Sequence, residues 1–447
     1  MLRKYLYQLY YEYAGQRVFD YQKQFTNTQW LSAEEIDRRQ FENFKNILVY
    51  SYNNIPYYKK KYDQARIKPD DIREERDVIY IPTIEKKDLI ENYSELFPVK
   101  WNGKVFIRKT SGSSGSPLRL AKGVKSLSVM DAIMYRNYAW FGIDVGGKQG
   151  RYWGAPLSPY AKVKTQCKDY ILGRIRFSPF DISEKTCFDF YRRLIKYKPV
   201  YVYGYSQTIY RFACILGEAN MDLGKLDLKA VIVTGEMIYP HQFKIIEKIF
   251  KCPVTNEYGC TELGIIAMQC QHKGMHLMTE NLYIEFLNGH SHASPGEEGE
   301  IVLTEMFSDL MPLIRYRIGD IGIKSNETCS CGRGLPLLKQ IKGRSDDFIL
   351  CMNGKQVDPI VFEYILQGLP ASLGKIAQFR ILQKTISNLV IEVCYEGKCF
   401  SMMSSELELK LKNILGQEFE IKFQRQECLQ AEASGKLRCF ISKLRRQ

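Results

Sequence analysis

No run of about 18 apolar residues occurs in the 447-residue sequence, so no transmembrane helix is expected. An apolar signal core is missing as well. The opening segment, MLRKYLYQLYYEYAGQRVF, has Arg3 and Lys4, but the residues after them are tyrosine-rich and broken by polar side chains. It reads as an amphipathic helix, with peripheral contact to a membrane surface as the alternative. These absences together lead to the expectation of a cytoplasmic chain. Internal repeats and long low-complexity stretches are lacking. So is a Walker A loop: in KTSGSSGSP (109–117), Gly112 and Gly115 are three apart, and Ser116 stands where the lysine would come next.

The formal net charge is +14, yet the basic residues are scattered. The densest runs, KKK at 59–61 and KLRR at 443–446, lack the aromatic platform or helical stripe of a base reader. No specific nucleic-acid partner is expected. Such a surface would still attract anionic substrates such as nucleotides. The thirteen cysteines include no CxxC pair, and without a signal peptide they read as reduced thiols or metal ligands rather than disulfides.

What is present supports a folded chain of two or three domains, because 45% of the residues are apolar. Residues 1 to about 95 read as mainly helical, with Pro82 and Thr83 marking a helix start. From about 104 to 305, short β-rich runs alternate with helical patterns. VYVYGY (200–205), KAVIVTG (229–235) and CPVTNEYG (252–259) read as buried strands, with the amphipathic PHQFKIIEKIF between the last two. That order predicts a parallel α/β unit whose ligands gather past the strand ends, near Gly235, Glu236, Tyr258, Gly259, Thr261 and Glu262. Beyond about 297, glycine turns suggest a β-rich subdomain. After GRSDD (343–347) the pattern becomes a small α+β domain. The expected division is 1–343 and 344–447.

Several segments have chemistry suited to a nucleotide. The hydroxyls and glycines of 109–117 fit a loop that wraps phosphate oxygens, although a flexible linker has the same composition. Tyr258 offers an aromatic face to a base. Asp320 could accept from ribose hydroxyls, Glu262 could hold Mg²⁺, and Arg344 could contact ribose or phosphate. Lys436 is a positive point charge near the end of the chain. Each residue alone is as easily structural; together they describe an ATP site.

The order of these segments resembles the adenylate-forming (acyl-CoA synthetase) superfamily, in its phenylacetate–CoA ligase-like and capsular polysaccharide biosynthesis branch. The resemblance runs from YSYNNIPYYKKKYD and IPTIEKKDL through TSGSSGSP, YGCTELG, RYRIGDIG and GRSDDFI to SGKLR. It implies a large N-terminal α/β domain with a small mobile α+β C-terminal domain. It also implies MgATP-dependent formation of an acyl-adenylate, with transfer to CoA as the second step. By the family pattern, Thr110, Ser111, Gly112, Ser113, Ser114 and Gly115 would hold the β- and γ-phosphates. Glu262 would hold Mg²⁺, and Gly235, Glu236 and Tyr258 would line the adenine site. Asp320 and Arg344 would hold the ribose, Lys436 would reach the α-phosphate, and Asp346 would be the hinge. Cys260 stands where this branch often has serine or threonine, and no catalytic role is expected of it.

A structural zinc site is also expected. The tight turn CSCGRGLP supplies Cys329 and Cys331, which cannot complete a tetrahedron alone. The resemblance supports Cys270 and His276 as the other two ligands, with His272 in competition and a cluster of reduced thiols as the simpler reading. The acid is not fixed by the sequence: Trp153, beside Gly154, invites an aromatic one, but aromatics are as readily core. Two other functions compete with CoA ligation. In one, the acyl group passes to a sugar amine or hydroxyl. In the other, the chain is a non-catalytic nucleotide- or RNA-binding protein.

Overall fold

The computed structural model describes residues 2–109, 118–154, 159–179, 182–344, 348–357, 359–367, 369–430 and 437–444. Two compact units emerge. The first comprises Met1–Ile318 and Gly322–Ile341, the second Gly319–Ile321 and Lys342–Gln447.

The first unit opens with α1 (Leu2–Ala14), α2 (Val18–Thr28), α3 (Ala33–Asn54), α4 (Pro56–Gln64) and α5 (Lys86–Glu91). Ser32 caps α3 by accepting from the Glu35 N–H at 3.3 Å, and Glu34 and Glu35 lie where the helix dipole favours carboxylates. Pro56 starts α4, where its missing N–H costs nothing. The helix start expected at Thr83 comes later. The Ile84 N–H donates to the Arg315 carbonyl at 3.0 Å, which keeps the chain extended as far as Glu85. Asp88 then accepts from the Glu85 N–H at 2.8 Å and caps α5.

A hairpin comes next, with β1 (Phe106–Lys109) antiparallel to β2 (Arg119–Lys122). After it lie α6 (Val124–Ala139), β3 (Gln149–Tyr152), α7 (Pro159–Ile171), β4 (Arg174–Phe177), α8 (Glu184–Tyr197), β5 (Tyr201–Tyr205), α9 (Ser206–Glu218), β6 (Ala230–Thr234), α10 (Pro240–Phe250) and β7 (Val254–Cys260). Strands β3 to β7 are parallel, as the helical crossovers require, and lie in the order β4-β3-β5-β6-β7. Every residue of β5 and β6 is buried, because both faces of the sheet are covered. Tyr152, Val202, Val231 and Val233 pack against Phe190, Phe212 and Ile246 of α8, α9 and α10. On the opposite face, Tyr203 and Ile232 share a core with Ile133 and Tyr135 of α6.

The sheet continues beyond its parallel part. Only three residues link β7 to β8 (Gly264–Gln269), too few for a crossover, so β8 and then β9 (Met275–Leu277) add antiparallel. A second sheet has the order β11-β10-β12-β13-β14. Its strands are β10 (Leu282–Asn288), β11 (Ser291–His292), β12 (Glu298–Glu305), β13 (Tyr316–Lys324) and β14 (Leu338–Arg344).

The second unit contains β15 (Ile349–Leu350), β16 (Gln356–Val357), α11 (Ile360–Gln367), β17 (Lys375–Thr385), β18 (Asn388–Glu396), α12 (Phe400–Leu415), β19 (Glu420–Arg425) and β20 (Phe440–Ser442). Helix α12 buries Met403, Leu407, Leu411 and Leu415, one face at a four-residue period, in a core with Ile381 and Ile391 of the β19-β18-β17-β20 sheet. The α/β class and the small α+β unit expected from the sequence are thus both present. Among the described residues, no helix is long and apolar enough to cross a membrane.

Candidate active site and metal cluster

Strands β6 and β7 run side by side, with Thr234 opposite Glu257. The residues just past each strand therefore meet at the carboxyl edge of the sheet. Gly235 leaves β6 with φ +79°, a left-handed turn that glycine adopts without strain. Glu236 is fixed at both ends: its carboxylate accepts from the Gln207 N–H at 2.9 Å, and its carbonyl accepts from the Ser206 hydroxyl at 3.1 Å. Tyr258 is half-buried in β7. A Cβ on Gly259 would stand 2.4 Å from the Gly264 carbonyl oxygen, so the turn into β8 admits only glycine. Thr261 is exposed in that turn and Glu262 is half-buried. Six of the expected site residues are thereby brought together.

The others are placed differently. Thr110 to Gly115, Asp346 and Lys436 lie outside the described residues. The strands flanking the glycine–serine stretch are paired, with Lys109 opposite Arg119. Asp320 lies in β13, on the short piece Gly319–Ile321 that groups with the second unit, and Arg344 closes β14.

Tyr138, Tyr203 and Glu257 carry no recognisable motif, yet they form a buried network behind this edge. The Tyr138 and Tyr203 hydroxyls donate to the two oxygens of Glu257, at 2.9 and 3.0 Å, and the Thr234 hydroxyl donates to its carbonyl at 2.7 Å. Burial pushes the Glu257 carboxyl above its ordinary pKa. Trp153, just past β3, stacks on Tyr205 at 4.5 Å and 20°. The signal was in the sequence: in RYW and YVYGY, alternate residues share a face.

A separate cluster joins β8, β9 and the 329–331 turn. The Cys270 and Cys329 sulfurs are 3.6 Å apart, and Cys331 Sγ is 3.2 Å from His276 Nε2. All four donor atoms lie within 4.8 Å of one another. Tetrahedral zinc, with ordinary Zn–S and Zn–N bonds, would hold neighbouring donors roughly 3.4–3.8 Å apart. His276 Nδ1–H donates to the Leu335 carbonyl at 3.1 Å, which leaves Nε2 as the free lone pair. Burial lowers the His276 pKa to about 4 and raises that of Cys270 to about 12. His272 is exposed, lies 3.1 Å from the Ser330 hydroxyl, and is outside the cluster. The donor set and spacing fit zinc.

No family model matches the chain. Phenylacetate-coenzyme A ligase of Escherichia coli (strain K12) is 24% identical over 357 residues, covering 74% of this chain and 76% of that protein. Protein CapK of Staphylococcus aureus is 22% identical over 428 residues, covering 92% and 89%. Among solved structures, 2-hydroxyisobutyryl-CoA ligase in its postadenylation state matches with a TM-score of 0.75 at 19% identity, over 93% of this chain and 91% of that one. The chain is thus similar in sequence to phenylacetate-coenzyme A ligases and CapK, and it shares the fold of 2-hydroxyisobutyryl-CoA ligase.

Proposed function

We propose that the protein is an ATP-dependent acid–thiol ligase that activates a carboxylic acid as its acyl-adenylate and passes the acyl group to CoA. The observation that carries this reading is the meeting of Gly235, Glu236 and Tyr258 to Glu262 at the carboxyl edge of adjacent strands, in a chain with these relatives. In the first half, a carboxylate oxygen bonds to the α-phosphorus of ATP. The bond from that phosphorus to the bridging oxygen breaks, and pyrophosphate leaves. Negative charges converge in this step, so donors and cations must offset them. In the second half, the CoA sulfur bonds to the acyl carbon and AMP leaves.

In this reading the Thr110–Gly115 loop grips the departing phosphates. Gly235, Glu236, Tyr258, Gly259 and Thr261 surround the base, and Asp320 and Arg344 hold the ribose. Glu262 holds Mg²⁺, which would neutralise phosphate charge. Lys436 serves the first half and leaves when the chain turns at Asp346. Cys270, His276, Cys329 and Cys331 hold a structural zinc ion, which takes no part in the chemistry. A cytoplasmic location, where ATP and CoA are available, belongs to the same proposal.

A second reading keeps adenylation and makes the acceptor a sugar amine or hydroxyl. The observation behind it is that the match to CapK extends over 92% of this chain, whereas that to the E. coli ligase extends over 74%.

Acid-dependent exchange of labelled pyrophosphate into ATP tests the activation step. The assay should use a panel of aliphatic, aromatic and amino acids. Exchange with one class of acid, and then CoA consumption, is the expected result. Exchange without CoA consumption would move the acceptor to the sugar. No exchange with any acid would leave a nucleotide- or RNA-binding protein.

A further inference from the structure

At the amino ends of β3, β4 and β5, opposite the edge described above, lies a cavity of about 60 Å³. A buried water needs about 10–15 Å³, so several waters or one small anion would fit. The strand register builds its floor. Arg174, Gln149 and Tyr201 are the first residues of three adjacent parallel strands and lie in one row. Two residues on, Arg176, Arg151 and Tyr203 form the next row on the same face. Tyr7 of α1 and Tyr135 of α6 close the space from above.

The charge of this cavity is unbalanced. The Arg151 guanidinium lies over the rings of Trp153 and Tyr203, at 4.7 and 4.9 Å, and its Nε has no hydrogen-bond partner among the described residues. Gln149 is 3% exposed, and its Oε1 also lacks a partner. The Tyr7 hydroxyl donates to the Leu172 carbonyl at 3.1 Å, and the Arg174, Arg3 and Arg151 charges act on the same phenol. Neither Arg151 nor Arg174 has a carboxylate within ion-pair distance among the described residues. The nearby acids are otherwise engaged: Asp169 pairs with Arg176 at 2.7 Å, and Glu257 accepts from Tyr138 and Tyr203. Asp131 acts on Arg174 electrostatically but does not line the cavity, and Asp144 lines it but is exposed. A guanidinium stays charged at all ordinary pH, and two of them half-buried on one cavity wall favour a counter-ion there.

We propose that this cavity is a binding site for a small oxyanion, a carboxylate or phosphate held by Arg151 and Arg174. The purified full chain, titrated with sodium acetate or sodium phosphate at constant ionic strength set by sodium chloride, gives the test. One of the two salts should raise the melting temperature saturably, by roughly 3–6 °C at a hundredfold excess over its Kd. Which salt does so separates a carboxylate from a phosphate ligand. Gln149→Glu places a carboxylate on the cavity floor. It should raise the anion-free melting temperature and abolish the response, whereas Arg151→Gln should abolish the response alone. Three results would overturn the site: no saturable response beyond ionic strength, a response that survives Gln149→Glu (phosphate bound elsewhere), or a Gln149→Glu chain less stable than its parent.

Discussion

The hydrogen bond from His276 Nδ1 to the Leu335 carbonyl decides which ring nitrogen can serve as a ligand, and it points Nε2 at Cys331. His272 lacks this advantage. It sits in the turn between β8 and β9, beside Lys273 with φ +66°, and faces solvent. Spacing from Cys270 could not separate the two histidines; the pairing of Met268 with His276 does, because it turns the ring of His276 inward. The purified protein is therefore expected to carry about one zinc ion per chain. Cys331→Ser should weaken zinc by more than the roughly 10–100-fold typical of losing an outer-shell partner, while His272→Ala should leave it unchanged. Metal analysis and chelator competition provide the readout. Zinc at a small fraction of an equivalent would leave the thiols as a reduced cluster.

Elements far apart in sequence are tied by buried charge. Lys122 at the end of β2 donates to Glu305 at the end of β12 at 2.5 Å, and the Ser126 hydroxyl of α6 also donates to Glu305. The lysine and glutamate side chains are 0% and 1% exposed. Removing one partner leaves an uncompensated buried charge, whereas removing both does not. Lys122→Met should therefore cost about 3–5 kcal/mol in denaturant unfolding, and Lys122→Met/Glu305→Met should recover much of it. A double variant as unstable as the single one would show that packing, not charge, holds these elements. No local pattern announces such a pair, since its partners are 183 residues apart. The strands were easier to read. YVYGY and AVIVT are β-branched and aromatic, and their neighbours supply crossover helices. The antiparallel β8 was missed because the turn before it also carries the site motif, and α5 was placed too early because a tertiary bond at Ile84 overrides the local start signal.

At the scale of the whole chain, the proposed chemistry is divided between two units. Tyr258 and Glu262 belong to the first, while Asp320 and Lys436 fall in the second. The sequence suggests this division of labour only through the resemblance, because no local pattern relates a lysine near the C-terminus to a loop three hundred residues earlier. A cation contributed by a separate unit can act in one half-reaction and be withdrawn in the other. Lys436→Ala is expected to slow adenylation by about 2.7–4 kcal/mol of barrier, the scale of losing one preorganised charge-stabilising donor. Transfer from a preformed acyl-adenylate should change far less, because the carboxylate charge that Lys436 would help bring to the α-phosphate is gone once the two are joined. Measuring both halves separately, by pyrophosphate exchange and by thioester release from added adenylate, decides the matter. Equal losses in the two would mean that Lys436 serves both half-reactions, against the proposed division.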